Sequence, residues 1–378
     1  MTRLAVLLGA ICVVLQTSRV AALPTMIRLG YIDCASCHYL PQGGGPLNPY
    51  GRAIDEAQSL RAGEYKPREN GFVRAISWNG RIAQDVRVVL PMQRAWAAHE
   101  TTASFRPRLL YRNVTELPHG FGAYFTITGE TDAVPRSTVY DPTPETSSPI
   151  VNVALLRYRV TPALELFGGR DQLPSGVNVP DLGAFVRQRN RLGAYDSPAQ
   201  LKLHWAGRRH RLVPFAYTGG GNEADGERES GGGALAEVDP IGSHHLVVGV
   251  NVLRGNADNG ARRMLGAHAR FGIGPWGILA EHDVTSRTRD GVDGPFRQHA
   301  TYGQAFWAAR EWLVASLIGE RLSVQQPFAE RTQGGRLELA ARFTSIGTVS
   351  ASAGVQRNVT TGRTSRSLQV QVALKTVY

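Results

Sequence analysis

The chain has 378 residues, with 42 glycines, three cysteines and a formal charge of +11. Three cysteines are too few for a four-cysteine zinc knuckle, and past residue 80 no apolar run reaches the roughly 20 residues of a membrane-spanning helix. The basic residues alternate along strand-like segments rather than pooling in one patch, which excludes nucleic acid as the partner.

Residues 1–22 read as a secretory leader. Arg3 supplies a positive start, Leu4 to Leu15 form a short apolar run, and Val20-Ala21-Ala22 offers small residues for cleavage before Leu23. Gly9-Ala10-Ile11 ahead of Cys12 is a poor lipoprotein signal, so the expected product is cleaved and unlipidated. Loss of Arg3 and Arg19 takes the charge from +11 to +9, and loss of Cys12 leaves Cys34 and Cys37.

Residues 23–80 carry the chemistry. Cys34-Ala35-Ser36-Cys37-His38 has the spacing at which two thiols form thioethers to haem vinyl groups and the following imidazole ligates the iron. A thioredoxin-type pair would open a helix after a strand in a βαβ unit, and no such unit follows. The motif therefore predicts one covalent haem c and an oxidising, extracytoplasmic compartment, with a plain disulfide as the bland alternative. Gly43-Gly44-Gly45-Pro46 reads as a turn that lets backbone approach the porphyrin. Ile54 to Arg61 reads as a short helix preceded by Tyr50 and Arg52, and Arg52 is a candidate partner for a haem propionate. A segment this short rarely carries a stable core, so it is expected to act as a plug in the barrel or to pack on its periplasmic side. Its boundary is uncertain where Phe72, Val73, Ile76 and Trp78 read as plug or as an extended first strand. The second iron ligand stays open among His204, Met264 and His268, which share the lumen-facing parity, Met26 nearby in sequence, and His99 in an outer loop. Histidine there would favour a lower potential than methionine.

Residues 81–378 read as an all-β, antiparallel outer-membrane barrel of about sixteen strands. Segments of about ten residues with period-two alternation recur between Gly, Pro, Asn and Asp. In the last, Leu368, Val370, Val372 and Leu374 oppose Gln369, Gln371 and Lys375; in others, Leu201, Leu203 and Trp205 oppose Lys202 and His204. The strands are expected at 82–91, 104–115, 119–131, 149–160, 163–171, 198–206, 209–217, 231–238, 243–253, 262–272, 275–286, 298–309, 311–322, 335–344, 347–357 and 366–378. Long loops are expected at 92–103, 132–148, 172–197, 218–230, 254–261, 287–297, 323–334 and 358–365, alternating with tight turns. Long loops on one rim and short turns on the other, with an even strand number, put both termini on the periplasmic side.

A leader, then Cys-Ala-Ser-Cys-His, then Pro46-Leu47-Asn48-Pro49-Tyr50-Gly51-Arg52, then a barrel resembles the fused monohaem cytochrome–porin family, which includes outer-membrane iron oxidases. Sharp residue matches cover about 28–53, and Gln42-Gly43-Gly44-Gly45 departs from the segment of the iron-oxidising members. The resemblance implies haem held by Cys34, Cys37 and His38. It also implies electron transfer between an extracellular donor, ferrous iron among the options, and a periplasmic cytochrome or other soluble carrier.

Two rival functions follow from the same residues. Arginines 106, 108, 112, 157, 159, 336 and 342 on the polar faces would make an open lumen prefer anions, with the haem as a structural plug. An open sixth iron position would instead make a haem enzyme acting on a small ligand. Glu223, Asp225, Glu227 and Glu229 in the outer loop 218–230 could gather divalent cations. The reductant, the direction of electron flow and the oligomeric state are not readable from the chain.

Overall fold

A computed structural model describes residues 24–41, 43, 45–62, 81–97, 100–130, 134–135, 145–146, 149–179, 183–193, 196–219, 228–344 and 346–377. The leader, residues 63–80, His99, and Glu223, Asp225 and Glu227 lie outside them.

Sixteen antiparallel strands close into one barrel. They are β1 (Ile82–Ala97), β2 (Glu100–Phe105 continued by Arg108–Glu116), β3 (Phe121–Glu130), β4 (Ile150–Thr161), β5 (Leu164–Arg170) and β6 (Ala199–Ala206). β7 (His210–Thr218), β8 (Ser230–Val238), β9 (Leu246–Ala257), β10 (Gly260–Ile273) and β11 (Trp276–Arg289) follow. β12 (Phe296–Arg310), β13 (Leu313–Val324), β14 (Glu330–Thr344), β15 (Gly347–Asn358) and β16 (Thr364–Val377) complete the wall. Each strand pairs with its sequence neighbour, and β1 pairs with β16 from Asp85↔Val377 to Ala97↔Ser365, which leaves no open edge. β2 is interrupted where Pro107, which has no N–H to donate, faces the Leu90-Pro91 stretch of β1.

Every strand expected from the alternation is present, but many run further than the sequence reading allowed. β9 and β10 continue until only Asp258 and Asn259 separate them, and β1 runs to Ala97, so two of the expected long outer loops are near-hairpins. The lipid-contacting band covers only part of each strand, and polar residues beyond it still pair in the ladder; an apolar pattern therefore ends before the strand does. The short-turn rim also contains one longer connection, 239–245, held by Asp239, whose carboxylate accepts N–H bonds from Gly242 and His244, each 2.8 Å.

The faces are inverted relative to a water-soluble sheet. Leu156, Leu201, Leu265, Ile278, Leu317, Leu337 and Leu374 are exposed on the outside, while Arg112, Arg157, Lys202, His204, Arg262, Glu281, Arg342 and Lys375 are buried inside. Apolar outside and polar inside is what a hydrocarbon solvent selects. Aromatic pairs near the short turns, Phe121–Tyr158 (4.8 Å between ring centres) and the stacked Trp276–Trp307 (5.6 Å), sit where an interfacial girdle belongs. No described helix is long and apolar enough to cross a membrane; the strands do the crossing.

Residues 24–62 lie in the lumen at the short-turn end. Arg28 pairs with Glu311 at 2.6 Å in the turn after β12, and the Leu60 and Arg61 N–H groups donate to the carbonyls of Arg342 and Phe343 near the end of β14. The long connection between β5 and β6 also folds inward. There Gly176, at φ +46°, brings the chain against Glu281, whose carboxylate accepts the Val177 N–H at 2.8 Å. Its short helix, Phe185–Gln188, anchors through the Phe185 N–H to Glu320 at 2.9 Å, and Asn190 binds Asp283 at 2.8 Å. The two insertions meet in a core where Ile27 packs with Val177, Val179, Leu279 and Phe306.

Candidate functional site

The C-x-x-C-H segment folds as a single 3₁₀ turn, Cys34–Ser36, capped by Asp33, whose side chain accepts the Ala35 N–H at 3.0 Å. The Cys37 and His38 N–H groups both turn back to the Cys34 carbonyl, at 3.2 and 2.9 Å. This puts both cysteines on one tight turn with His38 buried directly behind it.

The motif 46–52 locks that turn in place. The helix here, α1, spans Pro49–Ala57, which corrects the expectation of Ile54 to Arg61. Asn48 caps it by accepting the Gly51 N–H at 2.8 Å, and Pro49 at the first helical position needs no N–H partner. Asn48 also reaches the other way: its side-chain NH₂ donates to the Ala35 and Ser36 carbonyls (3.3 and 3.2 Å), and its N–H donates to the Cys37 carbonyl at 2.9 Å. Gly51 packs so closely on Cys37 that any Cβ would run into its carbonyl oxygen. The Leu47–His38 bridge closes the clasp.

Around this clasp the wall supplies compensated charge. Asp55 of α1 receives Lys375 at 2.8 Å and Arg342 at 3.1 Å, and Arg342 donates also to Gln58 at 3.1 Å. Arg112, ion-paired with Asp85, donates to the Gly45 carbonyl at 2.9 Å. Arg211 donates to the Pro41 carbonyl at 2.7 Å, pairs with Glu237 at 2.7 Å and lies 3.6 Å from Asp33. Arg270 joins the Ile32 carbonyl to Glu237, both at 3.0 Å. Leu40, two residues past His38, enters a cluster with Val114, Tyr124, Leu155 and Phe167 on the facing strands.

The residues present fit a covalent haem by the chemistry of the donor set. Cys34 and Cys37 are free thiols. Burial pushes both thiols up, Cys37 to about 11 with help from the neighbouring Cys34 and Asp55; at Cys34, Arg211 and Arg270 oppose the rise. A narrow cleft with room for little more than a water lies beside the motif, lined by Gln172, Ser175, Gly176, Asn178, Arg211 and Leu235, so a macrocycle there needs the inward segment 171–179 to yield.

The other expected site residues separate. Arg52 sits on α1. Met26 lies in the 3₁₀ segment Pro24–Leu29. Met264 is buried with Leu173, Leu192, Phe215, Tyr217 and Leu253, toward the outer half. His268 is committed to Glu237 at 2.9 Å. His204 is 3% exposed, its Nε2 has no hydrogen-bond partner among the described residues, and the charges acting on its ring are Asp33, Arg211, Lys202 and Glu237. Glu229, expected in an acidic outer loop, is instead buried in the lumen with Arg262 and Tyr217. No group of three or more His, Cys, Asp or Glu able to hold a metal ion is found among the described residues.

The arginines expected to attract anions are largely neutralised: Arg112 by Asp85, Arg157 by Glu116 at 2.6 Å, Arg159 by Glu165 at 2.7 Å, Arg342 by Asp55, and, more loosely, Arg336 by Glu320 at 3.5 Å. Sequence reasoning missed these lumenal carboxylates because which strands face each other is set by closure and register, not by local pattern.

No family model and no curated relative matches the chain. Solved structures do. The anion-selective porin from Comamonas acidovorans aligns with a TM-score of 0.56 at 12% identity, over 78% of this chain and 99% of that one. OprB of Pseudomonas putida aligns with a TM-score of 0.58 at 10% identity, over 81% and 97%. OmpT of Vibrio cholerae aligns with a TM-score of 0.54 at 9% identity, over 78% and 98%. At such identities the likeness carries the fold alone, and with the inverted faces that fold is a sixteen-strand barrel of the Gram-negative outer-membrane kind.

Proposed function

We propose that the chain is an outer-membrane monohaem cytochrome: a barrel that keeps one covalent haem c in its lumen, on Cys34 and Cys37 with His38 as iron ligand. It would serve electron transfer between an extracellular donor, ferrous iron among the options, and a periplasmic soluble carrier. The observation that carries this reading is the position of the Cys34–His38 turn inside a closed barrel, in a segment whose Ile32, Pro41, Gly45 and Asp55 carbonyls are tied by Arg270, Arg211, Arg112 and Arg342 to strands on several sides of the lumen. Haem, when bound, supplies one-electron chemistry; the chain's own groups fix its place, exclude water and tune its potential. Cleaved and matured protein should gain the mass of one tetrapyrrole that survives denaturation. In vesicles it should be reduced from the outer face by a membrane-impermeant donor. Full-length protein made with working maturation machinery and lacking that mass sinks the proposal.

A second reading, an anion-preferring channel with the 24–62 segment as its plug, draws weight from the porin neighbours, one of them described as anion-selective. Against it stand the paired arginines and the two insertions that occupy the lumen. Planar-bilayer conductance separates the two: a steady anion-selective current from intact protein favours the channel, and a closed trace favours the conduit. An enzymatic haem with an open sixth position would show high-spin spectra.

A further inference from the structure

We propose that His204 is the second axial ligand of the iron held by His38, an inference that rests on the haem reading above. The argument is positional. His204 lies on β6, paired with Glu165 on β5, and its other neighbour is β7. Both flanking strands grip the haem motif, β7 through Arg211, which holds Asp33 and Pro41 on either side of Cys34–His38. β5 grips it through Phe167, which packs in the cluster that receives Leu40. Asp33 is itself one of the charges acting on the His204 ring. The strand between two that touch the motif thus carries a buried imidazole.

The free valence of that ring is the second observation. A buried imidazole nitrogen without a partner is a desolvation cost that a ligand bond relieves. His204 Nε2 is such an atom among the described residues, at 3% residue exposure. Its rivals are worse placed. His268 also leaves its Nδ1 without a partner among the described residues, but its Nε2 is fixed on Glu237, which Arg211 and Arg270 hold as well; Met264 is packed in a separate apolar cluster, and Met26 lies in the 3₁₀ segment ahead of the turn. Two imidazoles on one iron make a low-spin centre and hold its potential below that of a His–Met pair.

The test uses full-length protein matured with haem-attachment machinery and purified in detergent. Three measurements are made on each variant: mass after denaturation, optical and electron paramagnetic resonance spectra in both redox states, and midpoint potential. Wild type, His268→Ala and Met26→Ala are expected to carry haem and stay low-spin. His204→Ala is expected to keep the covalent haem and turn high-spin. His204→Met is expected to return to low-spin with a methionine–iron charge-transfer band and a higher potential, which also serves if the alanine variant fails to fold. A low-spin His204→Ala with unchanged potential, or a high-spin wild type, overturns the assignment while leaving the haem reading intact. Wild type without the added mass overturns both.

Discussion

Asp55→Ala should release the plug. Asp55 is 6% exposed and is the carboxylate shared by Lys375 on β16 and Arg342 on β14. Removing it leaves two cations buried and uncompensated, and breaking one buried pair costs about 3–5 kcal/mol. Arg342 keeps its bonds to Gln58 and to the carbonyl of residue 55, so the lower end of that range is the better expectation. At about 1.4 kcal/mol per decade, 3 kcal/mol shifts the docking equilibrium of residues 24–62 by roughly two decades. The barrel itself should survive, because none of its ladder bonds uses Asp55. The assay is single-channel conductance with limited proteolysis of the same preparation. The variant should show frequent openings and cleavage before Ala57, where wild type shows neither, while heat-modifiable migration in detergent stays unchanged. Asp55→Asn should fall between them. A variant as closed and protease-resistant as wild type would refute the idea that this charge cluster seats the plug.

Three further outcomes follow from the geometry. Gly51→Ala drives a methyl group into the Cys37 carbonyl. Overpacking of this kind costs about 1–3 kcal/mol, and covalent haem content by mass should fall while barrel content stays constant. Leu265→Arg, on a 59% exposed, lipid-facing position midway along β10, should destabilise the barrel by about 2–4 kcal/mol in a lipid-folding titration, against near zero in a lipid-free measure of the same substitution. In haem-free protein, the Cys37 thiol is raised to about 11 by burial, so its neutral form is favoured in the fold. Its contribution to stability is therefore fully present below the unfolded value near 9 and lost as pH climbs through about 11. Alkylation should be slow at neutral pH and accelerate only toward that value, whereas fast neutral labelling would show an exposed turn.

The strand count and the inverted faces were legible because both are written in local periodicity: Leu201, Leu203 and Trp205 alternate with Lys202 and His204 wherever the strand is placed. Strand ends were not, since Arg287 and Arg289 extend β11 beyond residue 286 with polar residues that obey the ladder but not the lipid pattern. The start of α1 was available in Asn48-Pro49, a cap followed by a first-turn proline, and was overlooked in favour of the apolar Ile54. The inward seating of 171–179 and 183–193 and the pairing of Glu229 with Arg262 depend on contacts between segments far apart in the chain. The clasp between Asn48 and the cysteine turn spans only 12 or 13 residues, but its bonds go to backbone carbonyls, which no residue pattern marks.

The same point decides how the lumenal charge should be read. Counting arginines on polar faces predicts a positive channel, but a closed barrel sets each of these strands beside neighbours on both sides, and Arg157 meets Glu116 across β3 and Glu165 on the adjoining β5. Desolvated charge tolerates the interior only when matched, so a lumen filled by two insertions selects paired charges on its wall. An open water-filled pore imposes no such condition, since water can solvate an unpaired arginine. The density of matched pairs around residues 24–62, with Asp55, Asp85 and Glu237 each satisfying wall cations that also hold plug groups, is what a permanently seated plug requires.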